Sequence, residues 1–315
     1  MKRLVLFVAL AAIASGAAAP SAQRTAFVPQ GVSIGGIRVG GLSSEQARGA
    51  IAWWYKRPLR LLFDGKHWSV RPAALGASVD TDRAVEAVLK ATPRQRLALR
   101  VNVNAAHLQR YVRAIDDRLS VDAVDATATL QGVQPVIVPG KPGIELDRPA
   151  TVQRLASILA VARRPAAIRL VSRAVAPSVN AGNFGAVIVI HRGSNVLYLY
   201  NGERPWRTFP VATGQAVYPT PLGSWHIVDM QRNPWWRPPD SAWAQGLKPI
   251  PPGPGNPLGT RWMGLDAAGV GMHGTPDAAS IGYSASHGCI RMRIPDAEWL
   301  FAHVHIGTPV FIVSA

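Results

Sequence analysis

Apolar residues recur at two different periods along this chain, and the period changes near residue 180. Before that point the spacing is three or four, the repeat of a helix with one buried face. Ala47, Ala50, Ile51 and Trp54 line one such face. Ser43 stands where a cap belongs, and Gln46, three residues on, can close a capping box. Val85, Val88 and Leu89 predict a helix over 82–92, and Leu108, Val112, Ile115 and Leu119 another within 104–120. A fourth fits 149–162, with Asp147 as its cap and Pro149 in its first turn. Short strands are expected over 32–41, 59–63 and 68–71. Part of this half is duplicated. Gly76-Ala77-Ser78-Val79-Asp80 leads into Val85 and Val88, and Gly143-Ile144-Glu145-Leu146-Asp147 leads into Val152 and Leu155 at the same offsets.

Beyond residue 184 the runs are short, β-branched and aromatic. Segments 187–191 and 196–200 flank Arg192-Gly193-Ser194-Asn195, a hairpin signal. Strands over 208–212 and 224–228 continue the series, 310–313 closes it, and one helix over 296–304 interrupts it. Residues 231–262 form a long loop with eight prolines and four tryptophans. Loops of that length are functional or disordered, and four tryptophans argue against disorder. Trp235, Trp236 and Trp262 are therefore candidates to line a substrate cleft; the alternative is a packing element under the sheet. The fold class expected is α+β: a β-dominated domain with a curved mixed sheet or sandwich, preceded by a duplicated small α+β region. The boundaries expected are 26–95 and 96–175 for the two copies, 176–183 for a linker and 184–315 for the β-rich domain.

Composition fits that picture. The chain has 315 residues, 48% hydrophobic and 17% charged, with 29 Gly and 26 Pro, as a turn-rich globular protein requires. Lys2 and Arg3, an apolar run over 4–13 and small residues over 15–19 read as an export signal within 1–22. The expected location is the periplasm or cell wall, with a membrane tether if the signal stays uncleaved. The net charge of +16 is concentrated early: residues 1–180 hold 25 Lys and Arg against 11 Asp and Glu. Such a surface favours polyanions, which for an exported protein means anionic wall polymers or lipid and no nucleic acid.

One number changes the picture more than these. The chain has a single cysteine, Cys289. Exported proteins pair their cysteines, so a lone thiol is either a buried filler or a reactive group. Its neighbours favour reactivity: Gly271-Met272-His273-Gly274-Thr275-Pro276 is followed by Ser286-His287-Gly288-Cys289-Ile290-Arg291. Thiol catalysis needs a base for the thiol proton, a group that orients the base, and backbone donors for an oxyanion, which glycine beside the nucleophile leaves accessible. A thiol activated by His273 should titrate below about 8.5. An open zinc site of His273, His287 and Cys289 is the rival reading.

These two motifs resemble the signature of L,D-transpeptidases of the YkuD type. Tyr218-Pro219-Thr220-Pro221-Leu222-Gly223 and Gly307-Thr308-Pro309-Val310 extend the similarity, which covers roughly 184–313. The stretch Gly35-Gly36-Ile37-Arg38-Val39-Gly40-Gly41-Leu42 and the two Gly-to-Asp segments resemble a peptidoglycan-binding module found ahead of such enzymes. The resemblance implies that Cys289 attacks the carbonyl of the third residue of a peptidoglycan stem peptide, forming a thioester and releasing D-alanine. It implies that His273 is the base, that the Gly274 carbonyl orients it, and that amides near Gly288 and Cys289 hold the oxyanion. Ser286, His287 and Arg291 support the site, and Arg291 is alternatively a carboxylate ligand. A second stem's amine then completes a cross-link between third residues, as cell-wall biogenesis and cell shape require. Carbapenem-type β-lactams are the implied inhibitors, and neither metal nor cofactor is implied. Water as acceptor would make an L,D-carboxypeptidase, and attachment of proteins to the wall uses the same thioester. A non-catalytic wall-binding protein is the reading from another class.

Overall fold

The structure, a computed structural model, describes residues 26–161 and 164–315, so the export signal expected within 1–22 lies outside the described residues. By its contacts the chain divides into two units: one runs to Leu119 and resumes over Leu146–Ser172, the other comprises Ser120–Glu145 and Arg173–Ala315.

In the first unit the expected caps form. Helix α1, Ser44–Lys56, starts with a capping box: the Ser43 hydroxyl accepts from the Gln46 amide, and the Gln46 side chain accepts from the Ser43 amide. Its buried stripe is Ala47, Ile51 and Tyr55, so Tyr55 takes the place expected for Trp54. A hairpin follows, β1 (Leu59–Phe63) with β2 (Lys66–Val70), then a short strand, Ala77–Ser78, and helix α2, Thr81–Leu89. Helix α3, Ala105–Leu119, buries Leu108, Val112 and Ile115 as the spacing predicts. After it come a second hairpin, β3 (Thr127–Gln131) with β4 (Gln134–Val138), a strand over Gly143–Leu146 and helix α4, Arg148–Ala160. The order helix, hairpin, strand, helix thus occurs twice. The two aspartates that mark the repeat do the same work: Asp80 accepts from the Arg83 amide at 3.0 Å, and Asp147 from the Ala150 amide at 2.9 Å.

The second hairpin, which falls within the expected copy at 96–175, groups by its contacts with the β-rich unit. Ala126 and Ile137 are buried with Val187, Val189, Tyr200 and Phe311. The Ile137 amide donates to the Glu203 carboxylate at 2.7 Å, and the Tyr200 hydroxyl to the Gln134 side chain at 3.2 Å.

That unit is built on one eight-stranded mixed sheet. Its strands are β5 (Ala186–His191), β6 (Val196–Asn201), β7 (Arg204–Pro210), β8 (Gly223–Arg232), β9 (Arg261–Leu265), β10 (Gly271–Thr275), β11 (Ile290–Arg293) and β12 (Pro309–Val313), in the spatial order β7-β6-β5-β12-β8-β9-β10-β11. The β5–β12 and β10–β11 pairs are parallel and the rest antiparallel. Strand β5 is buried on both faces, which explains its unbroken apolar run. The second hairpin covers one face. The other holds the main core, including Ile188, Ile190, Leu197, Phe209, Met272, Met292, and Ala297 and Leu300 of helix α5, Ile294–Phe301. Among the described residues no helix is long and apolar enough to cross a membrane.

The Trp/Pro loop is ordered by a buried amide. Trp236 and Ile250 form a β-bridge, and a 3-10 turn spans Ala242–Ala244. Asn256 is fully buried; its NH2 group donates to the carbonyls of Pro234, Ile250 and Pro251 at 3.0, 3.3 and 3.0 Å, and its carbonyl accepts from the Leu258 amide at 2.8 Å. Proline offers no N–H, so a proline-rich loop has more acceptors than donors, and Asn256 supplies the missing ones. Asn256→Ala is expected to cost about 2–3 kcal/mol and lower the thermal midpoint by several degrees, because it leaves buried carbonyls unpaired. An unchanged midpoint would mean the loop holds without it.

Candidate active site

Strands β10 and β11 lie side by side, with Met272 opposite Ile290 and His273 opposite Arg291. Side chains alternate along a strand, so Gly271, His273 and Arg291 share a face, and Cys289, two residues before Arg291, continues it beside Gly271. Met272, Ile290 and Met292 turn the other way, into the core. Their packing fixes the register, since a slip of one residue would turn the histidine into the apolar core and the methionines out of it.

His273 is 5% exposed. Its Nδ1 lies 2.7 Å from the Gly274 carbonyl oxygen. A carbonyl only accepts, so Nδ1 carries the proton and the Nε2 lone pair is left for a proton from elsewhere. Burial pulls the imidazole pKa down from 6.5 to about 4; the Gly274 bond opposes this and the Arg291 charge adds to it. Cys289 is partly open to solvent, with Sγ 3.5 Å from the Gly269 carbonyl oxygen, yet it is surrounded mostly by protein. That surrounding raises the thiol above its ordinary value, against the pull of the Gly271 amide and Arg291. The depressed thiol expected from the sequence is therefore corrected. The resting pair is a neutral thiol and a neutral imidazole, and the site's arrangement suits proton transfer at the moment of attack.

The residues before Cys289 are braced. Ser286 is buried; its hydroxyl donates to the Cys289 carbonyl at 2.5 Å and accepts from the Gly288 amide at 3.1 Å. Gly288 has φ +111°, which a side chain would strain. With the Gly288 amide held by Ser286, the Cys289 amide is the one of that expected pair without an intramolecular partner among the described residues. A short strand, Thr213–Gly214, pairs with Ser284–Ser286, and the Gln215 amide donates to the Ser286 carbonyl at 3.0 Å. The Tyr218–Gly223 turn supports that strand. Buried Thr220 accepts from the Gly214 amide at 2.8 Å, and a Cβ on Gly214 would lie 2.1 Å from the Tyr218 carbonyl oxygen.

The remaining candidates separate. Arg291 is half-buried and pairs with Asp277 at 3.5 Å. The Trp262 ring stacks on His273, with centroids 6.0 Å apart, and lies across Gly271, where a Cβ would come within 2.5 Å of it. It therefore borders His273, as a cleft-lining residue would. Trp235 is 52% exposed and Trp236 sits in its bridge; neither ring contacts His273 or His287 among the described residues. His287 is exposed and meets Trp243, stacked at 4.1 Å, and Tyr218 at 5.1 Å. The sequence reading singled out neither ring as a site residue, and no periodicity in an irregular loop could have done so. Among the described residues no three His, Cys, Asp or Glu side chains converge as ligands around a metal ion would.

Two family profiles match the chain: "L,D-transpeptidase catalytic domain" of the YkuD family over residues 185–312, and "Putative peptidoglycan binding domain" over 68–163. Among curated proteins, the chain is 34% identical to "Putative L,D-transpeptidase YkuD" of Bacillus subtilis over 125 residues, 40% of this chain and 64% of that protein, just under two thirds of its length. It is also 34% identical to "Putative L,D-transpeptidase YqjB" of the same organism over 133 residues, 40% of this chain and 70% of that one. Among solved structures, L,D-transpeptidase 3 of Mycobacterium tuberculosis with a faropenem-derived adduct aligns over 64% of this chain and 85% of its own, at 14% identity and TM-score 0.38. The catalytic domain of the Enterococcus faecium L,D-transpeptidase aligns over 41% and 96%, at 22% identity and TM-score 0.34. With the His273 and Cys289 motifs side by side on one sheet face and this profile spanning the sheet that carries them, the chain belongs to the YkuD family of L,D-transpeptidases.

Proposed function

We propose that this protein cross-links peptidoglycan stem peptides between their third residues through a thioester on Cys289. The supporting observation is the shared face of His273 and Cys289, with Nδ1 tied to Gly274 and Nε2 left as the acceptor. Nε2 takes the thiol proton as sulfur attacks the carbonyl that joins the third residue to D-alanine, and gives it to the departing amine. The Cys289 amide has no hydrogen-bond partner among the described residues and is the donor for the developing oxyanion. The amine of a second stem then attacks the thioester and gives up a proton to Nε2, and sulfur leaves with its electron pair and takes that proton. The Arg291 charge favours the thiolate of Cys289 over its thiol and the neutral imidazole of His273 over its cation. Mass spectrometry of purified stem fragments tests the reading: a dimer with released D-alanine supports transfer, whereas a monomer shortened by one residue means that water is the acceptor. A carbapenem should add one adduct to the intact protein, at Cys289.

Export to the wall and adhesion by the basic N-terminal region complete the proposal. Arg110 and Arg113 are exposed on α3. Arg110→Gln/Arg113→Gln should reduce pull-down on insoluble wall at low salt, with the difference vanishing at high salt, where exposed charges are screened. Equal pull-down at low salt would remove this helix from the binding surface.

A further inference from the structure

The loop at 233–260 is held at its base by the Trp236–Ile250 bridge and by Asn256, while at its tip Ala244 is buried and Trp243 is partly buried. Around the turn Ala242–Ala244 the backbone hydrogen bonds are local: Ser241 to Pro239, Ala244 to Ser241 and Leu247 to Ala244. Leu247 is 49% exposed. The ring contact that ties this tip to another part of the unit is Trp243 on His287, with centroids 4.1 Å apart and planes within 17°. His287 is a firm anchor: it is the residue after Ser286, which braces Gly288 and Cys289, and its ring also meets Tyr218 of the Tyr218–Gly223 turn. Three separate segments therefore meet at one imidazole two residues before the nucleophile.

We infer that Trp243 is a positioning residue: by stacking on His287 it holds the loop tip against the Cys289 segment, so that the loop forms one wall of the cleft that receives the stem peptide. This rests on the stem-peptide reading above. An indole against an imidazole favours one offset, near-parallel geometry, and a phenyl ring can keep much of that contact while a methyl group cannot. The wall so formed acts on a long substrate and not on a small reagent, because a small reagent needs only the sulfur.

Hydrogen exchange and steady-state kinetics on the full chain test this with Trp243→Ala and Trp243→Phe. Trp243→Ala should speed amide exchange over 240–248 and raise KM for a tetrapeptide stem donor about tenfold, with a smaller change in kcat. Iodoacetamide should alkylate Cys289 at least as fast as in the unsubstituted protein. Trp243→Phe should restore most of the protection and most of the affinity. Unchanged exchange in Trp243→Ala, faster exchange with unchanged KM, or a phenylalanine variant as poor as the alanine one would each overturn the inference. If the unsubstituted protein does not process the stem at all, the proposed reaction fails, while the exchange comparison still decides whether Trp243 holds the loop.

Discussion

Cys289→Ser is expected to keep the fold and thermal midpoint while turnover of stem peptide falls by about 10⁴-fold or more. The thiol is raised by its surroundings, so in the proposed mechanism the thiolate is made only as His273 accepts its proton. An imidazole with a pKa of about 4 is a weak base. It suffices for a thiol in contact with an electrophile, but a serine hydroxyl is far harder to ionise and bonds to carbon through a less polarisable atom. D-alanine release and dimer formation measure the loss, and the carbapenem adduct should vanish with it. A serine variant that turns over normally would remove Cys289 from the nucleophile's role.

His273→Gln is the second large effect, about 10²–10⁴-fold on turnover. The glutamine amide can still donate toward Gly274 but offers no basic nitrogen. Alkylation of Cys289 near neutral pH should slow, recovering only where hydroxide ionises the thiol directly. The histidine also dictates the acid limb. Its neutral form is the proposed base, so turnover should persist well below pH 6.5 and fall as pH drops through about 4. Stability follows the same sign. The folded pKa is depressed, so this contribution is complete above about 6.5 and is lost toward about 4, by up to roughly 3 kcal/mol for a fully buried ring. His273→Gln should flatten that part of the stability profile. A wild-type acid limb near 6.5 would show that the imidazole is better solvated than its burial implies.

What the sequence disclosed depends on how local the cause was. Ser43, Asp80 and Asp147 cap helices because each acts on an amide three residues away, and the hairpin at 192–195 is set by neighbouring residues. The Cys289–His273 pairing was legible because a family motif stands at each residue. The thiol's raised pKa was not, since burial is the sum of many distant atoms. The Trp243–His287 stack was hidden for a related reason: the two rings stand 44 positions apart across irregular and strand structure, and nothing periodic connects them. The packing of the second hairpin was hidden for the same cause, because a hairpin written inside a repeat packs with strands that come 50 or more residues later.

That hairpin has a consequence for anyone wishing to isolate the catalytic part. Cutting at the linker near residue 182 would strip Ala126 and Ile137 from Val187, Val189, Tyr200 and Phe311 and leave a greasy underside. The smallest fragment that keeps its own lining is discontinuous in sequence, 120–145 together with 173–315. During synthesis the hairpin is made first and must wait for β5, β6 and finally β12 before its apolar side is covered, so assembly of this layer is a late, long-range event. A circular permutant or a fusion that joins residue 145 directly to 173 would shorten that wait, and is the natural form in which to move the catalytic sheet into another protein.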